Sequence, residues 1–251
     1  MQAFSMFNAL SNLETPIRLF KNLLLINGLV FFAVGAIAFF CQHTLQLSEL
    51  FLWKVTAAFI AGGVIVTTLA MRYLSAQTLG LANQVTLLRG SLIALLIGLI
   101  ADYPAPWLVV ITASIVLMLD GVDGWIARRL HIANNFGARF DMETDALLLL
   151  VLSSLVWQYE KAGPWIFLAG LIRYIFIVSS CLLPFLSRPL PPRRRRQTAF
   201  VIQAIALIVS MSPVFVQPLS SVIALAGLIV LTVSFSIDVC YLARNAREPA
   251  K

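Results

Sequence analysis

Charge is scarce in this chain. Only 12% of its 251 residues are Asp, Glu, Lys or Arg, whereas soluble domains carry about a quarter. Hydrophobic residues make up 60%, and together these values exclude an ordinary soluble domain. Cysteine is scarce too. Cys41, Cys181 and Cys240 sit at or near the ends of apolar runs with no common spacing. That excludes a disulfide framework and a cysteine metal motif, and they read as small packing residues. Histidine is limited to His43 and His131, which are far apart and read as interfacial residues. No soluble domain, low-complexity linker or internal repeat is visible. Acidic residues number 11 against 18 basic ones, for a net charge of +7. In so apolar a chain the basic excess points to cytoplasmic loops rather than to nucleic acid.

Long apolar runs recur along the whole length, which is the pattern of an all-α polytopic membrane protein. Eight segments are expected, at 22–41, 55–73, 86–102, 104–126, 142–159, 164–185, 198–216 and 219–242. The third is the shortest. Its clean core, GSLIALLIGLIA, has 12 residues, and at about 1.5 Å per residue these do not cross a bilayer without polar flanks. Residues 1–20 place Phe4, Phe7, Leu10 and Leu13 three apart, which suggests a short helix on the membrane surface. Ala36-Ile37-Ala38 has the small-x-small form of a cleavage site, but the preceding run is too long for a signal peptide, so an uncleaved span is expected. With the N-terminus inside, 15 of the 18 basic residues fall inside, Lys54 and Lys161 fall outside, and Arg173 lies within segment six. That split predicts eight spans with both termini cytoplasmic.

The carboxylates are not spread evenly. Five of the 11 lie between Asp120 and Asp145, in DGVDGWIARRLHIANNFGARFDMETD. On a helix Asp120 and Asp123 are i, i+3 neighbours, with Gly124, Ala127 and Arg128 continuing that face. On the next helix Asp141 and Asp145 are i, i+4 neighbours, and Glu143 lies off their face. A single such acid reads as a helix-end charge at the membrane interface. The set does not, because interface charges need no fixed spacing and ionisable groups at membrane depth point to function. Four carboxylates facing one space cannot all stay ionised without a positive partner. Oxygen-only ligands suit Mg²⁺ or Mn²⁺, four negative charges match two such ions, and a two-metal site can clamp the oxygens of a phosphoryl transfer. Gly124, Ala127 and Gly137 leave room for a ligand near the backbone, and Arg128 can hold a phosphate bidentately.

Taken together, Asp120-x-x-Asp123-Gly124-x-x-Ala127-Arg128, eight residues, then Gly137-x-x-x-Asp141-x-x-x-Asp145 resembles the signature of the CDP-alcohol phosphotransferases. The resemblance implies a six-helix membrane core, here residues 80–245, and a homodimer. Residues 1–79, with two further transmembrane helices, and the tail 246–251 lie outside it. It implies that Asp120, Asp123, Asp141 and Asp145 bind two divalent ions and that Asp145 is also the general base. Gly124, Ala127, Arg128 and Gly137 would form the nucleotide pocket. Asn83-Gln84-Val85-Thr86 resembles the family's Asn-x-x-Thr element beside the nucleotide, with Ala82 where Pro is usual. Asn134 falls where some members place a Ser or Thr.

The acceptor is less directly written. Arg173 lies mid-membrane and should face a cavity or a partner. Arg193, Arg194, Arg195 and Arg196 precede segment seven. They read either as an anchor for anionic lipid headgroups or as part of an anionic acceptor pocket, as in family members that use phosphorylated acceptors. The reading that follows is CDP-diacylglycerol as donor and a phosphorylated polyol as acceptor, at the cytoplasmic face of the plasma (inner) membrane. The reverse polarity, a CDP-linked amino alcohol with diacylglycerol as acceptor, shares the motif. A metal-coupled transporter is the alternative of another class, but transporters place their sites near the midplane between repeats.

Overall fold

The computed structural model describes residues 2–73, 79–102, 104–129, 135–183, 186 and 194–247, with the side chains of 2–16, 123, 126–128, 135, 194 and 246–247 left undescribed. Among the described residues there are eight α-helices and no strand. They are α1 (Gln2–Leu45), α2 (Glu49–Tyr73), α3 (Leu81–Gly98), α4 (Pro106–Arg129), α5 (Asn135–Gln158), α6 (Phe167–Leu182), α7 (Arg194–Met211) and α8 (Leu219–Arg247), with a 3₁₀ turn at Pro164–Ile166 leading into α6. Each expected apolar segment corresponds to one helix, and the protein is an all-α polytopic membrane protein.

Two expectations are revised in detail. The short surface helix at residues 1–20 is not a separate element, since α1 runs unbroken from Gln2 to Leu45. No glycine falls between Gln2 and Asn27 to stop the helix, and Thr15-Pro16 does not interrupt it. The third segment gains its missing length at its N-terminal side. The polar stretch Asn83–Thr86 belongs to α3, and 18 residues at about 1.5 Å reach about 27 Å. Among the described residues, five stretches are long and apolar enough to cross a membrane by themselves: Ile17–Leu45, Glu49–Tyr73, Leu81–Gly98, Pro164–Leu182 and Leu219–Asn245. The described apolar stretch of α4 is Pro106–Val122, and the acidic motif begins within it at Asp120. α5 carries that motif in its first turns, and α7 opens on arginines.

The chain divides into two compact units, residues 1–103 with 118–144, and 104–117 with 145–251. In the first, a buried cluster joins Leu19 and Leu23 of α1, Val66 and Ala70 of α2, Leu79, Leu87 of α3 and Phe136 of α5. Asn22 Oδ1 accepts the Leu79 N–H at 3.0 Å, fixing α1 to the residue that precedes α3. At the other end of α3, the Asp102 carboxylate accepts from the Ser48 N–H, the Ser48 hydroxyl and the Lys54 ammonium. The two N-terminal helices are thus tied to α3 at both ends. In the second unit, the Lys161 ammonium donates to the carbonyls of Ser212 and Phe215, while Ser220 and Ser221 donate to the Lys161 carbonyl. These bonds lock the loop after α5 onto the loop between α7 and α8.

Large apolar side chains remain exposed on α1, α2, α6 and α8, among them Leu29, Phe32, Trp53, Val178 and Val233. Lipid solvates such faces, so burying them against protein contributes little, and membrane helices associate through close packing of small residues and through polar pairs. The glycines show where this happens. A Cβ on Gly98 would meet Val55 and Phe51 of α2, one on Gly170 would meet the α5 backbone at Leu150, and one on Gly227 would meet Ala206 and Gln203 of α7.

Candidate active site

Three helix ends build the site. α3 contributes Arg89, and Asn83 and Thr86 precede it on the same helix at three-residue spacing. All three are buried. The Thr86 hydroxyl donates to the Ala82 carbonyl at 3.1 Å. α4 carries Asp120, Asp123, Gly124, Ala127 and Arg128 in its last turns, and α5 carries Gly137, Asp141 and Asp145 in its first. The motif thus stands on two successive helices, as its spacing predicts.

Asp120, Asp141 and Asp145 each offer a carboxylate oxygen, and the three atoms lie within 4.8 Å of one another. All three residues are half-buried. The set is hard oxygen only, which fits Mg²⁺ or Mn²⁺ and not a thiophilic metal. These residues therefore pass a chemical test for a divalent cation site. The side chains of Asp123, Ala127 and Arg128 lie outside the described residues, as does all of Asn134. Gly124 and Gly137 are partly exposed. Glu143 is exposed, in keeping with its place off the motif face.

The residue that sequence reasoning passed over is Arg89. From the sequence Arg89 is only one of the 15 basic residues expected on the inside, yet its side chain is fully buried. Its Nη2 lies 2.9 Å from Asp120 Oδ1 and its Nη1 2.5 Å from Asp141 Oδ1. One guanidinium fork thus joins α3 to both motif helices. A signal was available, because Arg89 continues the three-residue spacing of Asn83 and Thr86.

The basic residues expected near the acceptor divide. Arg173 is partly buried in the middle of α6. Arg193 and the Arg194 side chain lie outside the described residues. Arg195 donates through Nη1 to the Ser234 carbonyl at 2.8 Å and through Nη2 to Asp238 Oδ1 at 2.5 Å. Arg196 Nε lies 3.8 Å from Asp238 Oδ2. Much of the Arg195 fork is therefore engaged with α8. Asp238 is buried. Its signal in the sequence was an acid inside an otherwise apolar run.

The family model described as CDP-alcohol phosphatidyltransferase matches residues 79–237, well over half of the chain. No curated protein matches the chain. No solved structure matches it either.

Proposed function

Because the chain belongs to the CDP-alcohol phosphatidyltransferase family, we propose that it transfers a phosphatidyl group from CDP-diacylglycerol to the hydroxyl of a phosphorylated polyol, releasing CMP. The observation that carries this reading is the convergence of Asp120, Asp141 and Asp145 within the matched region. Membership makes the chain a transferase of substituted phosphate groups and removes the support for a metal-coupled transporter. The choice of donor and acceptor rests on the basic residues Arg173 and Arg193 to Arg196. The catalytic domain is residues 80–245, it works as a homodimer, and its site faces the cytoplasm of the plasma (inner) membrane.

Asp120, Asp123, Asp141 and Asp145 would hold two Mg²⁺ or Mn²⁺ ions. When bound, these ions supply positive charge to the pyrophosphate and to the departing CMP. The chain's own residues do the rest. Asn83, Thr86, Gly124, Ala127, Gly137 and Asn134 line the nucleotide, and Arg128 holds a phosphate bidentately. Asp145 takes the proton of the acceptor hydroxyl. That oxygen forms a bond to the phosphorus on the lipid side of the pyrophosphate, and the bond from that phosphorus to the bridging oxygen breaks. CMP carries the electron pair away. Positioning and fixed charge provide most of the acceleration.

The test is CMP release by detergent-purified protein with CDP-diacylglycerol and Mg²⁺, given glycerol 3-phosphate, inositol phosphate, inositol or serine as acceptor. Release should require one phosphorylated acceptor. Asp145→Asn should reduce it at least a thousandfold while CDP-lipid binding persists. Undiminished turnover by that variant would remove Asp145 as the base. Release only with CDP-choline or CDP-ethanolamine and diacylglycerol would reverse the assigned polarity.

A further inference from the structure

We infer that Arg89 is a positioning residue of this site: its guanidinium fork sets the two carboxylates that meet it, on different helices, at the separation a divalent cation needs. The inference rests on the reading of Asp120 and Asp141 as cation ligands. Its own support is geometric. Arg89 is fully buried on α3, and its two terminal nitrogens reach two different acids, Asp120 on α4 at 2.9 Å and Asp141 on α5 at 2.5 Å. A carboxylate has two oxygens and about four lone-pair sites, so one group can accept from a guanidinium and still ligate a cation. A planar fork fixes the distance between two acceptors, which a lysine ammonium on a flexible stem does not. Partners that orient metal ligands in this way typically change metal affinity by about 10–100-fold when removed.

The sign of the effect is diagnostic. A positive charge beside a cation site weakens cation binding by simple repulsion. If Arg89 acted only as a charge, its removal would tighten the site. As a clamp, its removal loosens the site even though repulsion is relieved.

The experiment is equilibrium binding of Mn²⁺ to the detergent-purified full chain, read from the electron paramagnetic resonance signal of free Mn²⁺, with thermal unfolding measured on the same samples. Arg89→Lys keeps the charge and loses the fork, so its Mn²⁺ affinity should fall at least tenfold. Arg89→Gln loses the charge and one arm, and it too should bind more weakly than the parent. Unchanged affinity in Arg89→Lys with a lowered melting temperature would make Arg89 merely structural and overturn the inference. Tighter binding in Arg89→Gln would also overturn it, leaving charge as the role. Should Arg89→Lys fail to fold, the sign in Arg89→Gln decides. If the parent protein itself binds no Mn²⁺, the cation reading of the aspartates fails first, so the two failures are separable.

Discussion

Gly170→Ala would add one methyl group where α6 touches the backbone of α5. The new Cβ would lie 2.4 Å from Leu150 Cα and 2.9 Å from its N and Cβ. That is about 1 Å short of the ordinary contact distance of 3.4 Å, and the obstacle is main chain, which has no rotamer to turn away. The helices must part, and opening a gap of that size forfeits about a quarter to a half of each contact's attraction along the seam. Overpacking of this kind costs about 1–3 kcal/mol. Alanine returns up to about 1 kcal/mol in helix propensity. Because the obstacle is backbone, the cost lies at the upper end, about 2–3 kcal/mol, so the net loss is about 1–2 kcal/mol, a factor of about 5–30 in the folded to unfolded ratio.

Gly62→Ala supplies the control, because a Cβ there meets nothing within 4 Å and only the propensity gain acts. The assay is the half-life of monodisperse protein in detergent at a fixed elevated temperature, which suits a protein that unfolds irreversibly. Gly170→Ala should shorten it severalfold, and Gly62→Ala should hold or lengthen it. CMP release by Gly170→Ala should also fall before unfolding sets in. Leu150 lies five residues beyond Asp145, the proposed base, on α5, and a displacement of about 1 Å at a reacting group can cost about a hundredfold. Equal half-lives for the two variants would refute the claim that glycine at 170 is required by the backbone of α5.

Asp102→Ala removes a fully buried acceptor from Ser48 and Lys54. It should cost about 2–3 kcal/mol, less than for a wholly buried pair, because the Lys54 side chain is 29% exposed and also bonds the Ile100 carbonyl. Turnover per folded molecule should hold, since about 18 Å of helix separates Thr86 from Gly98. Lost turnover in fully folded Asp102→Ala would place this network in the catalytic machinery. Arg173→Ala should raise the acceptor KM more than the donor KM in the CMP assay, and an effect confined to the donor would move Arg173 to the other pocket.

The helices were legible because each buries or offers to lipid a long apolar run, and composition alone reports that. The motif was legible because its chemistry is local, with i, i+3 and i, i+4 spacing on two successive helices. Pairings between helices were not legible. Arg89 meets acids 31 and 52 positions away, and Arg195 meets one 43 positions away. Periodicity within a segment carries no information about which face of another helix it will meet. The start of α3 was misplaced for a related reason. The segment expected at 86–102 left Asn83 and Gln84 outside it, yet α3 starts at Leu81 and Asn83 is buried, so polarity did not mark the helix boundary.

The ionic contacts among the described side chains differ in make-up. At Asp102 one carboxylate meets one cation, Lys54. At Asp238 one carboxylate meets two, Arg195 and Arg196. Both sets approach neutrality or exceed it among the described side chains, as buried ion pairs must if they are to offset their desolvation. At the motif, Arg89 brings one positive charge to two carboxylates, and the cluster adds Asp145 as a third. Read as the cation site proposed above, that group offers hard oxygen ligands to a divalent ion. The same comparison explains why isolated acids in apolar helices were ambiguous in the sequence. An acid at membrane depth demands a positive partner whether it is structural or functional, and which side chain answers it is visible only once the helices are packed.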